Sequence, residues 1–353
     1  MTIQILMTLC LTFSPGLAAA ADGLDGIDVY GTAQLGEGDL LRDYGPQLKR
    51  YVRLQKQKSK GAVRSSDVLK LELESAVRRK GPFAYVRMQR VPSVQGGGSV
   101  IVFDFVEKKD AAARMPFRPA PTGRLGDPAG LVAAWRQYSE MGAELSRKGL
   151  LATDRVECPA FYCTWGDATP DLKILQDRFV QEVPSNKQSL LRVFKEDRDP
   201  QRRADALNLL AYLRSGPEVS ETAELGMTDP DDRVREAAMR MFSDMAVYRK
   251  DAPLPAEKIA RVLDYPSVDD RTRALAVMLG LAGHPVYRKF ALQSASTQVL
   301  KLLRMRNSSN HDMALTVLRM LSQKDLGGTD FQGWEEAIRE ARKAESQASD
   351  KKK

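Results

Sequence analysis

Two periods of apolar residues divide this chain. Between about residues 25 and 110 short alternating runs flank stretches with helical spacing. Ile27-Asp28-Val29-Tyr30 reads as a strand ended by Gly31. Asp39, Leu40 and Leu41, then Leu48, Tyr51, Val52 and Leu54, suit a helix with an interruption near Gly45-Pro46. Ser65-Ser66-Asp67 resembles an N-cap cluster, and Val68, Leu69, Leu71, Leu73 and Val77 supply the apolar face of a second helix, stopped at Gly81-Pro82. Residues 84–91 alternate, with Val86 and Met88 on one face, and residues 95–98 form a glycine-rich hairpin turn. The partner strand, residues 99–107, puts Ile101, Phe103 and Phe105 on one face. The prediction is a small βααββ unit with its helices on one side of the sheet.

After residue 110 the period changes. Residues 111–127 (AAARMPFRPAPTGRLGD) have no periodicity and read as a semi-rigid linker. Asp127-Pro128 opens a helix carrying Leu131, Trp135, Tyr138, Met141 and Leu145, and residues 128–186 form a helical cap that includes ECPAFYCTWG. From residue 187 to about 325 the chain repeats itself: DRDPQRRADALNLLAYL, MTDPDDRVREAAMRMFSDM, YPSVDDRTRALAVMLGLAG and NSSNHDMALTVLRMLSQ each follow a shorter helical segment. Equating Ala206, Ala237, Leu275 and Leu315 gives spacings of 31, 38 and 40 residues. Residues 326–353 hold a last helix, with Trp334 and Ile338, and a polar tail. The fold class expected is multi-domain, α+β followed by all-α.

The first 21 residues have a different character. An apolar run, Ile3 to Phe13, is broken by Pro15-Gly16 and followed by Ala18–Ala21. That is the pattern of a secretory signal peptide, although no Lys or Arg precedes the run. An exported, periplasmic protein is expected, with no membrane-spanning segment in the mature chain; mean hydropathy is −0.37. Cys10 then leaves with the signal. Cys158 and Cys163 remain, and in an oxidising compartment they read as a disulfide, with two buried thiols as the alternative.

Net charge is +8 over 353 residues. Its excess reads as thin and interspersed, with 16 basic against 12 acidic side chains in residues 22–110 and 29 against 25 in residues 187–353. That excludes a nucleic-acid binder with one basic face. Peripheral contact with anionic lipid headgroups stays open. The two histidines, His284 and His311, and the cysteine pair give no metal-ligand spacing. No G-x-S-x-G, H-E-x-x-H, Walker or G-x-G-x-x-G pattern occurs. The acidic pairs Asp231-Asp232 and Asp269-Asp270 stand where helix starts are expected and suit the helix dipole. No enzyme, cofactor or catalytic residue is expected.

Two resemblances follow. IDVYG, LLRDYG, AVRRKGPFAYVRMQRV and GGGSVIVFDFVEK together resemble a POTRA domain, with Gly31, Gly81, Phe83, Val86, Val106 and Glu107 in comparable places. The resemblance implies an envelope protein that binds peptides or partner domains, such as an outer-membrane or secretion complex. Its family arrangement leaves Tyr85, Val86, Arg87, Met88, Gln89 and Arg90 on an edge strand open to pairing. Equally, Arg87, Gln89 and Arg90 can protect that edge. The chain has no run of strands to build the barrel of the outer-membrane members. The motif D-P-x-x-x-V-R-x-x-A at Asp229, Pro230, Val234, Arg235 and Ala238 resembles HEAT repeats. There Arg203, Arg235 and Arg273 are expected to join neighbouring repeats structurally. The stack's concave groove implies protein binding. The function expected is a non-enzymatic periplasmic scaffold or adaptor. The alternative is a regulatory or redox-linked accessory subunit centred on the cysteine pair.

Overall fold

The computed structural model describes residues 23–57, 59–93, 97–151, 158–249 and 252–350. The expected signal segment and the start of the hairpin tip (94–96) lie outside them. β1 (Leu24–Tyr30) ends at Gly31, whose φ is +90°. A Cβ there would collide with the Phe105 carbonyl and Arg114 Nη1, so only glycine fits. α1 (Glu37–Lys56), α2 (Lys60–Arg78), β2 (Phe83–Pro92) and β3 (Ser99–Glu107) follow. The sheet order is β1-β3-β2, with β1 parallel and β2 antiparallel to β3. α1 does not break at Gly45-Pro46. Leu40 on one side of the proline and Leu48 and Val52 on the other are buried in one core, and that packing holds the helix across it.

α1 and α2 cover one face of the sheet, where Met88, Ile101, Phe103 and Phe105 pack on Leu48, Val52, Leu73 and Val77. The opposite face, with Tyr30, Val91, Val100 and Val102, joins the core of the later helices. Every residue of β3 is therefore buried, as in a strand covered on both sides.

Most of the remaining described residues are helical. A short turn, α3 (Ala111–Arg114), precedes α4 (Leu131–Arg147) and α5 (Pro170–Glu196). α5 crosses the expected boundary at residues 186–187 with Pro184 inside it, because Phe179, Val183, Leu190, Val193 and Phe194 form one continuous buried face. Then come α6 (Pro200–Leu210), α7 (Gly216–Gly226), α8 (Asp232–Tyr248), α9 (Ala256–Val262) and α10 (Val268–Gly283). A short α11 (Arg288–Phe290), α12 (Ser296–Leu303), α13 (Ser308–Ser322) and α14 (Phe331–Asp350) complete the chain. α6, α8, α10 and α13 pack side by side in that order, whereas α7, α9 and α12 pack on the row without comparable contact among themselves. α6, α8, α10 and α13 thus form a continuous inner row, with α7, α9 and α12 set against it as an outer one.

Each inner helix starts alike. The N-caps Asp199, Asp231, Ser267 and Asn307 are 32, 36 and 40 residues apart, and each side chain accepts a backbone N–H from the first turn. Seven residues after each cap stands a buried alanine, at positions 206, 238, 274 and 314, where the neighbouring helix approaches. The register differs from the predicted one by one residue in the last three copies.

Residues 111–127 are not a free linker. Arg118 N–H donates to Thr228 O at 2.8 Å, Gly123 N–H to Glu196 O at 3.0 Å, and Arg198 N–H to Gly123 O at 2.7 Å. The segment is a strap across the helix ends. Proline-rich extended backbone forms no internal hydrogen bonds, so its polar groups are available to the helix termini.

Candidate functional site

Four residues after three of the N-caps stands an arginine, and each has the same task. Arg203 Nη1 donates to Asp197 O at 2.9 Å while its other nitrogens hold the Asp229 carboxylate at 2.7 and 3.0 Å. Arg235 Nη1 donates to Asp229 O and Pro230 O, and its Nη2 meets Asp270 at 2.8 Å. Arg271 donates to Tyr265 O at 2.9 Å and Asn310 Oδ1 at 3.1 Å. Each guanidinium closes its own helix start and reaches into the next repeat. Arg271, four residues after the Ser267 cap, is the third buried rung; Arg273 also joins neighbouring repeats as expected, but at a partly exposed position, pairing from α10 with Glu236 of α8 at 2.8 Å. Asp229 and Val234 are fully buried, and Asp229 also caps the turn through Asp231 N–H.

The ladder continues into the sheet. Arg271 also pairs with Asp104, and both side chains are completely buried. The Tyr30 ring lies 4.1 Å from the Arg271 guanidinium, and the strap's Phe117 ring 4.2 Å from that of Arg235. Burial pushes the carboxyls of Asp104 and Asp270 above the usual range, against the pull of Arg271 and Arg235. Asp104 was legible only as a carboxylate within an apolar strand, and nothing in its spacing pointed to Arg271.

The sheet caps the inner helices. Asp28 of β1 accepts from Arg306 N–H at 2.9 Å and Asn307 N–H at 2.8 Å, at the start of α13. Gln89 of β2 accepts from Val268 N–H at 2.9 Å and donates to Asp269, at the start of α10. Arg87 pairs with Asp232 at 2.8 Å, at the start of α8. Of the other candidate edge residues, Val86 and Met88 face α1 and α2, and Arg90 donates to Ser99 Oγ. Burial raises the Tyr85 pKa. β2 is outermost, but Met88 N–H, which points away from β3, donates to Glu74 Oε1 at 2.7 Å. Strand backbone alternates, so Val86 and Arg90 aim N–H groups the same way.

Two clefts open on the inner helices. One, of about 200 Å³, is lined by Trp135, Tyr162, Asp205, Asn208, Glu236 and Arg240. The other, of about 390 Å³, is apolar and is lined by Ala246, Val247, Leu279, Met313 and Met320, with His284 at its side. Val247 is 47% and Met320 43% exposed. On α8, Asp244 follows Arg240 by one turn; burial pushes its carboxyl up to about 6, with Arg240 pulling the other way.

Cys158 and Cys163 are joined, their Cα atoms 5.6 Å apart, at the start of the stack. Phe161 and Tyr162 between them are buried, and the Arg249 guanidinium lies 4.0 Å from the Phe161 ring. Among the described residues no helix is long and apolar enough to cross a membrane, and no cluster of three or more His, Cys, Asp or Glu could hold a metal ion.

No protein-family model matches this chain, and no curated protein resembles it closely enough to count as a relative.

Proposed function

We propose that this chain is a non-enzymatic binding scaffold of the periplasm, in which a POTRA-like sheet unit is fixed to a HEAT-like helical stack. The strand order, with β2 outermost and two helices on one face, supports the first likeness. The recurring cap, arginine or histidine, and alanine positions of the inner helices support the second. Export rests on the N-terminal pattern and the joined cysteine pair.

The observation that carries the binding reading is the open apolar cleft on the inner helices, with exposed Val247 and Met320 over a floor of Ala246, Ala276 and Gly280. Monomeric proteins seldom leave such residues together without a use. The two clefts suit an amphipathic segment of a partner protein, with apolar anchors at the α13 end and charged residues facing Glu236, Arg240 and Arg273. The joined cysteines act as a staple that closes the stack.

A photo-crosslinking residue at Ala276 in cells tests this. One partner chain is expected, its yield lowered on the order of tenfold by Met320→Glu. A crosslinker on the outer helix α9, at Lys258, should capture none of it. Equal capture at both positions, or indifference to Met320→Glu, would remove the clefts from consideration.

A further inference from the structure

The outer face of α1 and α2 differs from the rest of the surface. Residues 37–80 hold 12 basic and 6 acidic side chains, a net +6 of the chain's +8. No acidic residue occurs between Asp43 and Asp67, whereas Lys49, Arg50, Arg53, Lys56, Lys58, Lys60 and Arg64 all fall there. The excess that reads as dispersed along the chain is thus concentrated where α1 ends and α2 begins. Arg50, Arg53, Lys56, Lys60 and Arg64 are exposed and make no ion pair with any described residue.

Apolar side chains stand beside them. Of the five residues predicted to form the buried face of α2, only Leu69, Leu73 and Val77 do so. Val68 is 51% and Leu71 65% exposed, and Val63 is 47% exposed. At 100° per residue Arg64, Val68, Leu71 and Ser75 form one outward stripe, with Lys60 at its side. On α1 the buried residues Leu48, Tyr51 and Val52 leave Lys49, Arg50, Arg53 and Lys56 on the outward half. Asp67 and Glu72 are the exposed acidic residues flanking the α2 stripe.

We infer that this face docks on an anionic lipid surface, with Arg50, Arg53, Lys56, Lys60 and Arg64 at the headgroups and Val63, Val68 and Leu71 at the acyl boundary. Cations serve any polyanion, but the exposed aliphatic residues interleaved with them favour a bilayer over a nucleic acid. Such residues gain from leaving water at a lipid interface, whereas single-stranded nucleic acid selects aromatic platforms. The sheet lies between this face and α8, α10 and α13, so a docked molecule keeps its inner clefts away from the lipid.

Vesicle flotation with the full mature chain tests the assignment, comparing phosphatidylcholine alone with phosphatidylcholine containing phosphatidylglycerol. Binding is expected only with the anionic lipid, falling as salt is raised. Arg53→Gln with Lys60→Gln and Arg64→Gln should weaken it about fivefold for each charge removed. Val68→Ser with Leu71→Ser, both on the surface, should weaken it further with unchanged thermal melting. Two results overturn the assignment. One is absence of binding to the anionic vesicles, or binding indifferent to the charge variants. The other is anionic binding untouched by Val68→Ser and Leu71→Ser and matched by duplex DNA, which makes the face a general polyanion site.

Discussion

Asp244 is a residue that the fold holds at a cost. Its carboxyl is pushed up to about 6 by burial on α8, although Arg240 opposes the shift. A raised acid pKa means that the folded chain favours the protonated form. Below the ordinary value of 3.8 the residue is protonated folded and unfolded alike and is without effect. Stability then falls as pH climbs from there through about 6, and the loss is complete above. A shift of about two units corresponds to about 3 kcal/mol, and partial exposure reduces this to about 1–2 kcal/mol. Asp244→Asn should therefore raise the melting temperature at about pH 7.5 and leave it unchanged at about pH 4. Equal effects at both values would mean that the residue does not titrate as described. Sequence pattern was least informative at this scale. Leu69 and Val68 look alike in a list of apolar residues, and only packing against β2 makes one core and the other surface. Arg271 and Arg273 are likewise two arginines in one helix turn; the cap at Ser267 decides which of them is buried.

Among the elements, β2 is the strand left outermost in the sheet. Its place at the edge was implied by the POTRA resemblance, but the occupant of that edge was not legible, because Glu74 lies on a different element. The Glu74 carboxylate accepts from Met88 N–H and fills the position that an added strand would take. A peptide pairing with β2 has to displace it. Glu74→Ala should strengthen binding of an extended peptide several-fold, since one competing charged hydrogen bond is removed. Val86→Pro, which deletes an outward N–H and leaves the ladder to β3 intact, should abolish that binding. Fluorescence anisotropy with labelled peptide reads both variants. If neither changes affinity, Arg87, Gln89 and Glu74 serve only to fasten and protect the strand. The helices were more legible than their ends. The predicted breaks at Pro46 and before residue 187 reflect real local costs, which long buried faces on α1 and α5 outweigh.

At the level of the whole molecule, a sequence that divides at residues 111–127 folds as interlocked parts. The sheet supplies groups at the starts of α8, α10 and α13, and the strap crosses the ends of the inner row. One cooperative unfolding transition is expected by calorimetry, not separate sheet and helix transitions. Arg271→Ala leaves Asp104 buried and unpaired, which costs about 3–5 kcal/mol, and should lower or split that transition. Two transitions in the unmodified protein would contradict the interlocking. The tie was invisible in sequence because its partners are 167 residues apart. The spacing of the inner helices has a further consequence. Cap-to-alanine distance is fixed at seven residues in every copy, yet the repeats lengthen from 32 to 40 residues. The first increase lies in the inner helix itself, 11 residues in α6 and 17 in α8, but the second lies between the tail of α10 and the cap of α13, in a segment that begins at the rim opposite the sheet. That opposite rim, around residues 285–286, is therefore where the chain tolerates grafting, and a fluorescent reporter spliced in there would leave sheet, ladder and strap undisturbed.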